Sequence, residues 1–251
     1  RLAAMAAPAR VVSLIVSDVP GDAPHEVASG PTCADETSAD EALAAIAAYR
    51  IDLPAPIVDH IRTSRAPHPL DAAFRDHSAR VIASARLSLE AAAAAAQAAG
   101  VPAVILSDRI EGEAREVAKM HGAIAQEVLE RARPFAAPVV LLSGGETTVT
   151  LRGQGRGGRN SEFLLSLALT CDGRAGWSAL AADTDGIDGS EQNAGAFADG
   201  QSCARLRAQG QDPAALLGEN DAWSAFAALD DLFSPGPTGT NVNDLRAILI
   251  R

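Results

Sequence analysis

Three arginines, Arg152, Arg156 and Arg159, lie close together in the segment 139–160. Only Glu146 opposes them within that segment, although the whole chain has a formal net charge of -11. The planar guanidinium group forms paired hydrogen bonds with carboxylates and phosphates. A basic cluster in an acidic chain therefore predicts either an anionic ligand or internal carboxylate partners for these arginines.

Two glycines precede the last of these arginines in the segment Gly157-Gly158-Arg159-Asn160-Ser161. Glycines let the backbone approach a ligand closely, and the N-terminus of a following helix favours anions. The segment predicts a loop that brings backbone N–H groups and arginines to phosphate or carboxylate oxygens, with Asn160 or Ser161 capping the next helix. A hairpin loop with solvated arginines is the alternative.

Three aspartates, Asp183, Asp185 and Asp188, follow the apolar run 177–182. Their carboxylates could hold Mg²⁺ or orient a hydroxyl group. An acidic turn, in which aspartates cap the backbone, accounts for the same pattern. An EF-hand is excluded, because the aspartate spacing is wrong and Ala194 stands at the twelfth position counted from Asp183.

Short apolar runs supply the strands that would present these groups. Residues 11–17 are typical of a strand buried on both faces, and an acidic loop with Asp18 and Asp22 follows them. Residues 55–78 are predicted to form a short helix followed by a connector with Pro67 and Pro69, and beyond it a weak strand at 81–82 begins a regular alternation of helices and strands. The pattern predicts an α/β fold with a layered sheet-and-helix domain, whose ligands collect outside the carboxyl ends of the strands.

The boundaries of these elements follow from apolar periodicity, capping residues, glycines and prolines. We expect helices at 42–49, behind a capping box at 38–41, and at 85–99, 113–132, 161–170, 199–209 and 221–229. We expect strands at 101–106, 139–142, 147–151, 177–182 and 245–250, with 147–151 pairing with 139–142 or with a neighbour.

One motif favours a different chemistry. Residues 153–158, Gly-Gln-Gly-Arg-Gly-Gly, match the glycine pattern of dinucleotide-binding loops, and Asp183 follows at about the distance of a ribose-binding acid. This reading predicts an NAD(P)H-dependent oxidoreductase. The preceding strand argues against it, because it is rich in threonine and alternating where the fingerprint needs a strand buried on both faces.

Composition limits the partners of the chain. Apolar residues make up 47% of the sequence and Lys119 is its only lysine, so a broad basic surface for nucleic acid or an anionic membrane is excluded. Cys33, Cys171 and Cys203 lie far apart, which favours a reducing cytoplasm over a disulfide framework or a zinc site. The apolar start, residues 2–16, is interrupted by a proline and an arginine and is too short to span a bilayer.

Six segments of the chain, in the same order, resemble the motif series of the glycerate 2-kinase family, many members of which are named hydroxypyruvate reductase. Its C-terminal part is called the MOFRL domain. The segments are Ser17-Asp-Val-Pro-Gly-Asp22, Ala28-Ser-Gly-Pro-Thr32, Leu142-Ser-Gly-Gly-Glu-Thr147, Gly157-Gly-Arg-Asn160, Asp183-Thr-Asp-Gly186 and Gly239-Thr-Asn-Val-Asn-Asp244.

The resemblance implies two domains. Residues 1–70 would be the remnant of a Rossmann-like N-terminal domain, and residues 71–251 a C-terminal α/β domain that includes the MOFRL region at about 138–248. A family lysine in a Gly-x-Gly-Lys motif, and a Ser-Gly-Gly-Gly-Ser loop, would precede residue 1. Lys119 lies within a predicted helix and cannot replace that lysine. The resemblance therefore implies that this sequence is an N-terminally truncated part of a longer enzyme.

The resemblance also implies a reaction, the phosphorylation of glycerate at its 2-hydroxyl group by ATP with Mg²⁺ or a similar cation. Arg159 and Asp183 would be catalytic, and Asp18, Asp22 and Asp185 would hold metal. The residues expected to bind substrate or nucleotide are Ser143, Gly144, Gly145, Glu146, Thr147, Arg156, Gly157, Gly158, Asn160, Asn241 and Asn243.

Two other functions stay open at this point. One is an NAD(P)H-dependent hydroxypyruvate reductase that uses the glycine pattern at 153–158. The other is a non-catalytic nucleotide-binding fragment. A homo-oligomer is compatible with all three functions.

Overall fold

A computed structural model describes residues 2–65 and 67–251 and divides them into two compact units, 2–82 and 83–251. The division falls beyond residue 70, where the sequence predicts a domain boundary. It does so because the strand at Ser78–Ala83 pairs with the strand at Val12–Val16 and so belongs with the first unit.

The first unit contains short helices and one two-stranded sheet. Its elements are α1 (Leu2–Met5), β1 (Val12–Val16), α2 (Ala39–Ala48), α3 (Ala55–Thr63) and β2 (Ser78–Ala83), with 3-10 turns at Val27–Ser29 and Ala72–Phe74. The predicted capping box of α2 is confirmed. The Ser38 hydroxyl accepts a hydrogen bond from the N–H of Glu41, and the Glu41 carboxylate accepts one from the N–H of Ser38.

Strand β1 corrects a prediction about burial. The sequence predicts a strand buried on both faces, but Val12, Leu14 and Val16 are 58%, 65% and 44% exposed. Among the described residues β1 pairs only with β2, so its apolar side chains have few neighbours to cover them. An apolar run alone predicts a strand, whereas burial also depends on the adjoining strands and helices.

The second unit has regular alternation of helices and strands, as predicted. Its elements are α4 (Ala85–Ala98), β3 (Ala103–Ser107), β4 (Gly112–Glu113), α5 (Ala114–Arg131), β5 (Val139–Gly145), β6 (Thr147–Thr148), α6 (Arg159–Thr170), β7 (Trp177–Asp183), β8 (Gly195–Asp199), α7 (Ser202–Ala208), α8 (Pro213–Gly218), α9 (Ala222–Leu229), β9 (Leu232–Phe233) and β10 (Asp244–Ile250).

The main sheet has the strand order β3-β5-β10-β7-β8-β9. Strand β3 is parallel to β5, whereas β10 is antiparallel to both β5 and β7. Asp244, the first residue of β10, lies opposite Gly145 at the end of β5 and Asp183 at the end of β7. The last strand thus brings together two strand ends that are distant in sequence.

Helices cover both faces of the part of the sheet around β5. Ser143 contacts α5 through His121, while a Cβ on the next residue, Gly144, would meet Leu89 of α4. Successive strand residues point to opposite faces, so α4 and α5 lie on opposite sides of β5. Helix α6 packs beside α5, and nearly its whole length is buried, including Phe163. The predicted layered α/β fold class is confirmed.

Strand β6 differs from the prediction in length and partner. It contains two residues, and it pairs in parallel with β4 in a separate small sheet. Of the two pairings that the sequence allows for residues 147–151, the structure has the one with a neighbour. The chain then runs through a loop at 149–158 before α6 begins.

Candidate functional site

A cavity of about 910 Å³ lies in the second unit between β6, the loop after it and the start of α6. Its volume is within the range of small-molecule sites. The lining residues are Glu111, Gly112, Glu146, Thr147, Thr148, Val149, Leu151, Gly155, Gly157, Gly158, Arg159, Glu162, Gly189, Ser190 and Asn220.

Arg159, the first residue of α6, is held by three carboxylates. Its Nε donates to Asp244 Oδ1 at 2.6 Å, its Nη2 donates to Asp183 Oδ2 at 2.6 Å, and its Nη1 lies 3.4 Å from Glu146 Oε1. The arginine side chain is 24% exposed, while those of Asp244 and Asp183 are 0% and 7% exposed. Internal carboxylate partners, one of the two outcomes predicted for the arginines, are therefore present at Arg159.

Asp244 connects three elements, β10, α6 and β6, at this point. Its Oδ1 also accepts a hydrogen bond from Asn160 Nδ2 at 2.9 Å. Its Oδ2 accepts from the backbone N–H of Thr147 at 3.2 Å and from the guanidinium group of Arg246. Because β10 lies between β5 and β7, the buried Asp244 carboxylate reaches Thr147 in β6, the start of α6, and Arg246 on its own strand.

The carboxyl group of Asp183 has an unusual pKa. Burial raises the pKa of Asp183 to about 7, against the opposing effects of the N–H of Asp185 and the charge of Arg159. Asp244 and Asp185 raise it further because they are negative charges close by. A carboxyl group with a pKa near neutrality can exchange a proton at physiological pH.

The N-terminus of α6 is occupied by an internal carboxylate. Asp188, which is fully buried, accepts hydrogen bonds from the backbone N–H groups of Asn160 and Ser161 at 2.9 and 2.8 Å, and from the Ser161 hydroxyl at 2.6 Å. A Cβ at Gly158 would lie 2.4 Å from Asp188, so the close approach requires glycine. The sequence predicts that backbone N–H groups here bind a phosphate, but in the structure those of Asn160 and Ser161 donate to Asp188. Burial raises the pKa of the Asp188 carboxyl group.

Arg156 lies in a more exposed setting. Its Nε and Nη2 donate to the two carboxylate oxygens of Glu191 at 2.9 and 2.6 Å, and its guanidinium carbon lies 3.7 Å from the centroid of the Trp223 ring system. Hydrogen bonding to Glu191 is the main cause that raises the pKa of Arg156. Its assignment to ligand binding stays a prediction.

The glycine pattern at 153–158 packs against the protein itself. The N–H of Gly155 donates to the carbonyl oxygen of Glu219 at 2.9 Å, and a Cβ on Gly155 would lie 2.4 Å from Asp221. Asn220 Oδ1 accepts from the N–H groups of Arg152 and Gly153. The first two glycines thus allow contact with the turn at 219–221, and the strand before them, β6, belongs to a two-stranded sheet. Neither feature is that of a dinucleotide fingerprint.

Two loops predicted to bind ligands hold each other in place. Thr184 donates from its N–H and its hydroxyl to the carbonyl oxygen of Asn243, and Asn241 Oδ1 accepts from the N–H of Asn243. Asp185 Oδ1 accepts from the N–H of Ile187 at 2.7 Å. These bonds place Asn241, Asn243 and Asp185 beside the end of β7, and their roles toward a ligand stay predictions.

Ser143 points into the core. The Nδ1 of His121 lies 2.9 Å from the carbonyl oxygen of Val117, so Nδ1 carries the hydrogen and Nε2 accepts from the Ser143 hydroxyl at 2.9 Å. Burial lowers the pKa of His121 to about 4, which keeps the imidazole neutral. Ser143 and Gly144 support the site from behind the sheet end, while Glu146 and Thr147 line the cavity.

The residues proposed for metal binding are divided between the two units. Asp18 and Asp22 belong to the first unit, and Asp185 to the second. Within residues 2–65 and 67–251, no group of three or more histidine, cysteine, aspartate and glutamate side chains is arranged to hold a metal ion. No helix in the described part of the chain is long and apolar enough to cross a membrane.

Sequence reasoning missed Asp244 and Arg246 as members of this site. Their signal was present in the last strand. Asp244 and Arg246 are polar, yet they stand at every second position on the same face as the buried residues Ile248 and Ile250. Polar residues on the buried face of a strand need partners, so they indicate an internal network. Glu162, buried between Arg115 and Asn220, was missed because a single glutamate in a helix carries no such signal.

Family comparisons match both ends of the sequence. The model described as the MOFRL family matches residues 139–244, and the model described as Domain of unknown function (DUF4147) matches residues 1–62. Residues 139–244 contain β5, α6, β7 and the first residue of β10, which are the elements that meet at Arg159.

Curated relatives extend the likeness over the whole chain. A protein of Agrobacterium vitis, provisionally named hydroxypyruvate reductase, is 50% identical over 100% of this chain and 65% of its own length. The D-glycerate 2-kinase of Thermotoga maritima is 36% identical over 98% of this chain and 58% of its own length. The glycerate kinase of Macaca fascicularis is 32% identical over 100% of this chain and 74% of its own length.

A solved structure agrees with these relatives. The crystal structure of a glycerate kinase from Thermotoga maritima superposes with a TM-score of 0.91 and 36% identity, covering 100% of this chain and 59% of that chain. The chain thus spans less than two thirds of the curated relatives from Agrobacterium and Thermotoga.

Proposed function

Because the chain belongs to the glycerate kinase family, we propose that an enzyme carrying this sequence transfers the γ-phosphoryl group of ATP to the 2-hydroxyl group of glycerate. The observation that carries the proposal is the contact between Arg159, which lines the cavity, and Asp183, whose carboxyl group has a pKa of about 7. Phosphoryl transfer needs charge stabilisation and a positioned hydroxyl group, and these two residues suit those tasks.

Arg159 supplies positive charge. Its side chain is 24% exposed at the cavity wall, so an anion can reach the guanidinium group. Glu146, the most exposed of its three carboxylate partners at 52%, is the one that an incoming carboxylate or phosphoryl group would displace most easily. Asp183 and Asp244 would continue to orient the guanidinium group from behind.

Asp183 supplies a proton acceptor. A base works best when its pKa is close to the working pH, since it is then both available and able to accept a proton. Asp183 lies behind Arg159 and is 6% exposed, so it would be reached by a glycerate bound against Arg159. The 2-hydroxyl proton would pass to its carboxylate as the new O–P bond forms and the bond between the γ-phosphorus and the bridging oxygen of ADP breaks. Asp185, whose N–H donates to Asp183 Oδ1 at 3.2 Å, would orient this carboxylate.

ATP and Mg²⁺ fit the site in part. The cavity of about 910 Å³ can hold a nucleoside triphosphate, and Gly157 and Arg159 in its lining let phosphates approach the backbone and meet a positive charge. Mg²⁺ commonly uses one or two carboxylates together with substrate phosphates, so Asp185 would suffice as the protein ligand. When bound, Mg-ATP supplies the phosphoryl group with part of its negative charge neutralised.

The charges around the cavity call for a further cation. The charged residues of the cavity lining are Arg159, Glu111, Glu146 and Glu162, and Glu162 is paired with Arg115. Glu111 and Glu146 therefore outnumber Arg159. This balance alone would repel a triphosphate. A lysine from a segment outside this chain, which the family resemblance implies, or the metal ion would correct it.

The test is the release of ADP by the full-length protein in the presence of ATP and glycerate. Activity should require both substrates and should be lost on Arg159→Ala. The matched control is Arg207→Ala, which removes an exposed arginine whose partner, Asp172, lies far from the cavity lining. Equal rates for the wild-type protein and Arg159→Ala would remove Arg159 from the mechanism.

Reduction of hydroxypyruvate is the second candidate, favoured by the name of the Agrobacterium vitis relative. The packing of Gly155 against Asp221 makes it the weaker candidate, because the glycine that should approach a pyrophosphate approaches the protein instead. Oxidation of NADH or NADPH in the presence of hydroxypyruvate, measured as a loss of absorbance of the reduced nicotinamide, would support the reductase. Binding of Mg-ATP without turnover, measured by calorimetry, would instead indicate a nucleotide-binding module.

A further inference from the structure

Arg246 is a fully buried arginine in the middle of the second unit. Its Nη2 donates to Asp244 Oδ2 and, at 2.9 Å, to the Thr147 hydroxyl. The guanidinium carbon lies 5.2 Å from the centroid of the Phe163 ring, which belongs to α6. Arg246 does not line the cavity, so it would not contact a substrate there.

The surroundings of Arg246 are costly for a cation. Its Nε and Nη1 have no hydrogen-bond partner within the part of the chain that the structure describes. Burial lowers the pKa of its guanidinium group. A buried ion pair is often no more stable than apolar residues of the same volume, and unpaired nitrogens make this one less favourable still. Stability of the fold is therefore a poor explanation for an arginine at this position.

The geometry offers a better explanation. Asp244 directs Oδ2 to Arg246 and Thr147, and it directs Oδ1 to Arg159 Nε at 2.6 Å and to Asn160 Nδ2 at 2.9 Å. The two arginines therefore bind opposite oxygens of one buried carboxylate. Fixing Oδ2 fixes the rotation of the carboxylate and so the direction in which Oδ1 accepts.

We propose that Arg246 is a positioning residue that acts through Asp244 to hold the Arg159 guanidinium group in the orientation required for phosphoryl transfer. This inference rests on the proposed function for its consequence in catalysis, although the contact chain itself can be tested without any substrate.

Charge supports the same role. Asp244 contacts two arginines, Arg159 and Arg246, and Arg159 also contacts Asp183. Without Arg246, Arg159 would be the one cation left against Asp183 and Asp244 among the described residues. Arg159 would then be drawn away from a single well-defined geometry, because the aspartates would compete for it.

The first test observes Arg159 directly by NMR of arginine Nε–H groups in this chain. The Nε–H of Arg159 should be protected from exchange, and Arg246→Met should speed its exchange by about 10-fold or more, since a charge-assisted hydrogen bond would be weakened. Arg246→Lys, which keeps the charge, should restore at least about a third of the protection. Arg207→Met is the matched control and should change nothing at Arg159.

The outcomes separate positioning from a merely structural role. A lowered thermal midpoint for Arg246→Met with unchanged Arg159 exchange would overturn the proposal. If Arg246→Met does not fold, Arg246→Lys decides: retained protection of the Arg159 Nε–H supports the role of the charge, and loss of about 10-fold or more contradicts it.

The second test measures catalysis by the full-length protein. Arg246→Met should lower kcat by about 10-fold to 100-fold with little change in KM for ATP, and Arg246→Lys should recover part of it. An unchanged kcat would contradict a role in the reaction. If the wild-type protein has no glycerate kinase activity but Arg159 exchange responds to Arg246→Met, the proposed function fails while the positioning contact stands.

Discussion

Arg156 and Arg159 lie in the same glycine-rich segment, yet their surroundings differ. The Arg156 side chain is 51% exposed and pairs with one surface carboxylate, whereas that of Arg159 is 24% exposed and contacts Asp244 and Asp183, which are almost completely buried. The difference comes from the secondary-structure elements that carry them. Arg156 lies in a loop, whereas Arg159 begins α6 beside the ends of β7 and β10. A cluster of like charges in a sequence therefore need not be one functional group.

The largest expected effect tests Arg159 by a change that keeps its charge. Arg159→Lys should lower kcat/KM of the full-length enzyme by about 10²-fold to 10³-fold, or ~3–4 kcal/mol, because lysine cannot bind Asp244 and Asp183 at once and still face the cavity. Arg156→Lys is the matched variant and should keep activity within about 3-fold. Steady-state ADP release measures both, and equal losses would abolish the contrast between the two arginines.

The next effect concerns the start of α6, which places Arg159. Asp188→Ala removes three hydrogen bonds from a buried cap and should lower the free energy of unfolding by ~2–3 kcal/mol. Asp212→Ala removes an exposed cap from α8 and should cost ~1 kcal/mol or less. Urea unfolding followed by circular dichroism gives both values, and equal costs would contradict a special role for Asp188.

A smaller effect should depend on pH through Asp183. Its pKa of about 7 is raised above the usual aspartate value of 3.8, so the folded protein binds the proton more tightly than the unfolded chain. Its stabilising contribution is complete below the unfolded pKa and is lost as the pH rises through 7. From pH 6 to 8 the wild-type protein should therefore lose ~1–2 kcal/mol of stability relative to Asp183→Asn.

Unfolding midpoints of both proteins at each pH provide the measurement. A constant difference between them would show that Asp183 does not titrate in this range. In the kinase assay, the wild-type rate should rise with pH through about 7 if Asp183 accepts the hydroxyl proton, and Asp183→Asn should lack this rise.

The smallest effect is expected at Arg156. Arg156→Ala breaks an exposed ion pair with Glu191 and should leave the free energy of unfolding nearly unchanged. A large loss of both activity and stability in this variant would mean that the loop at 149–158 depends on Arg156. It would also mean that Arg156 and Arg159 contribute to activity and stability more equally than their surroundings indicate.

Much of the second unit could be predicted from the sequence. Apolar periodicity and the glycines located α4, α5, α6 and the strands β5, β7 and β10 close to their observed bounds, and in the first unit Ser38 located the start of α2. Internal carboxylate partners for the arginines were one of two predicted outcomes. These features depend on residues near one another in the chain, where local rules apply.

The remaining features depend on contacts between distant residues. The insertion of β10 between β5 and β7 places Asp244 beside Arg159, and no local pattern specifies that strand order. The exposure of Leu14 in β1 likewise reflects the strands available to pair with it. The direction in which Ser143 points could not be predicted, because it depends on His121 lying behind it.

The stacking of Arg156 on Trp223 also gives the molecule an optical reporter. The sequence has two tryptophans, and the other, Trp177, is only 5% exposed in β7. Indole emission responds to a neighbouring charge, so any ligand that draws Arg156 from the Trp223 ring would alter one emission component and leave the buried one as an internal reference. The fluorescence spectrum can therefore show whether the loop at 149–158 rearranges when nucleotide is added.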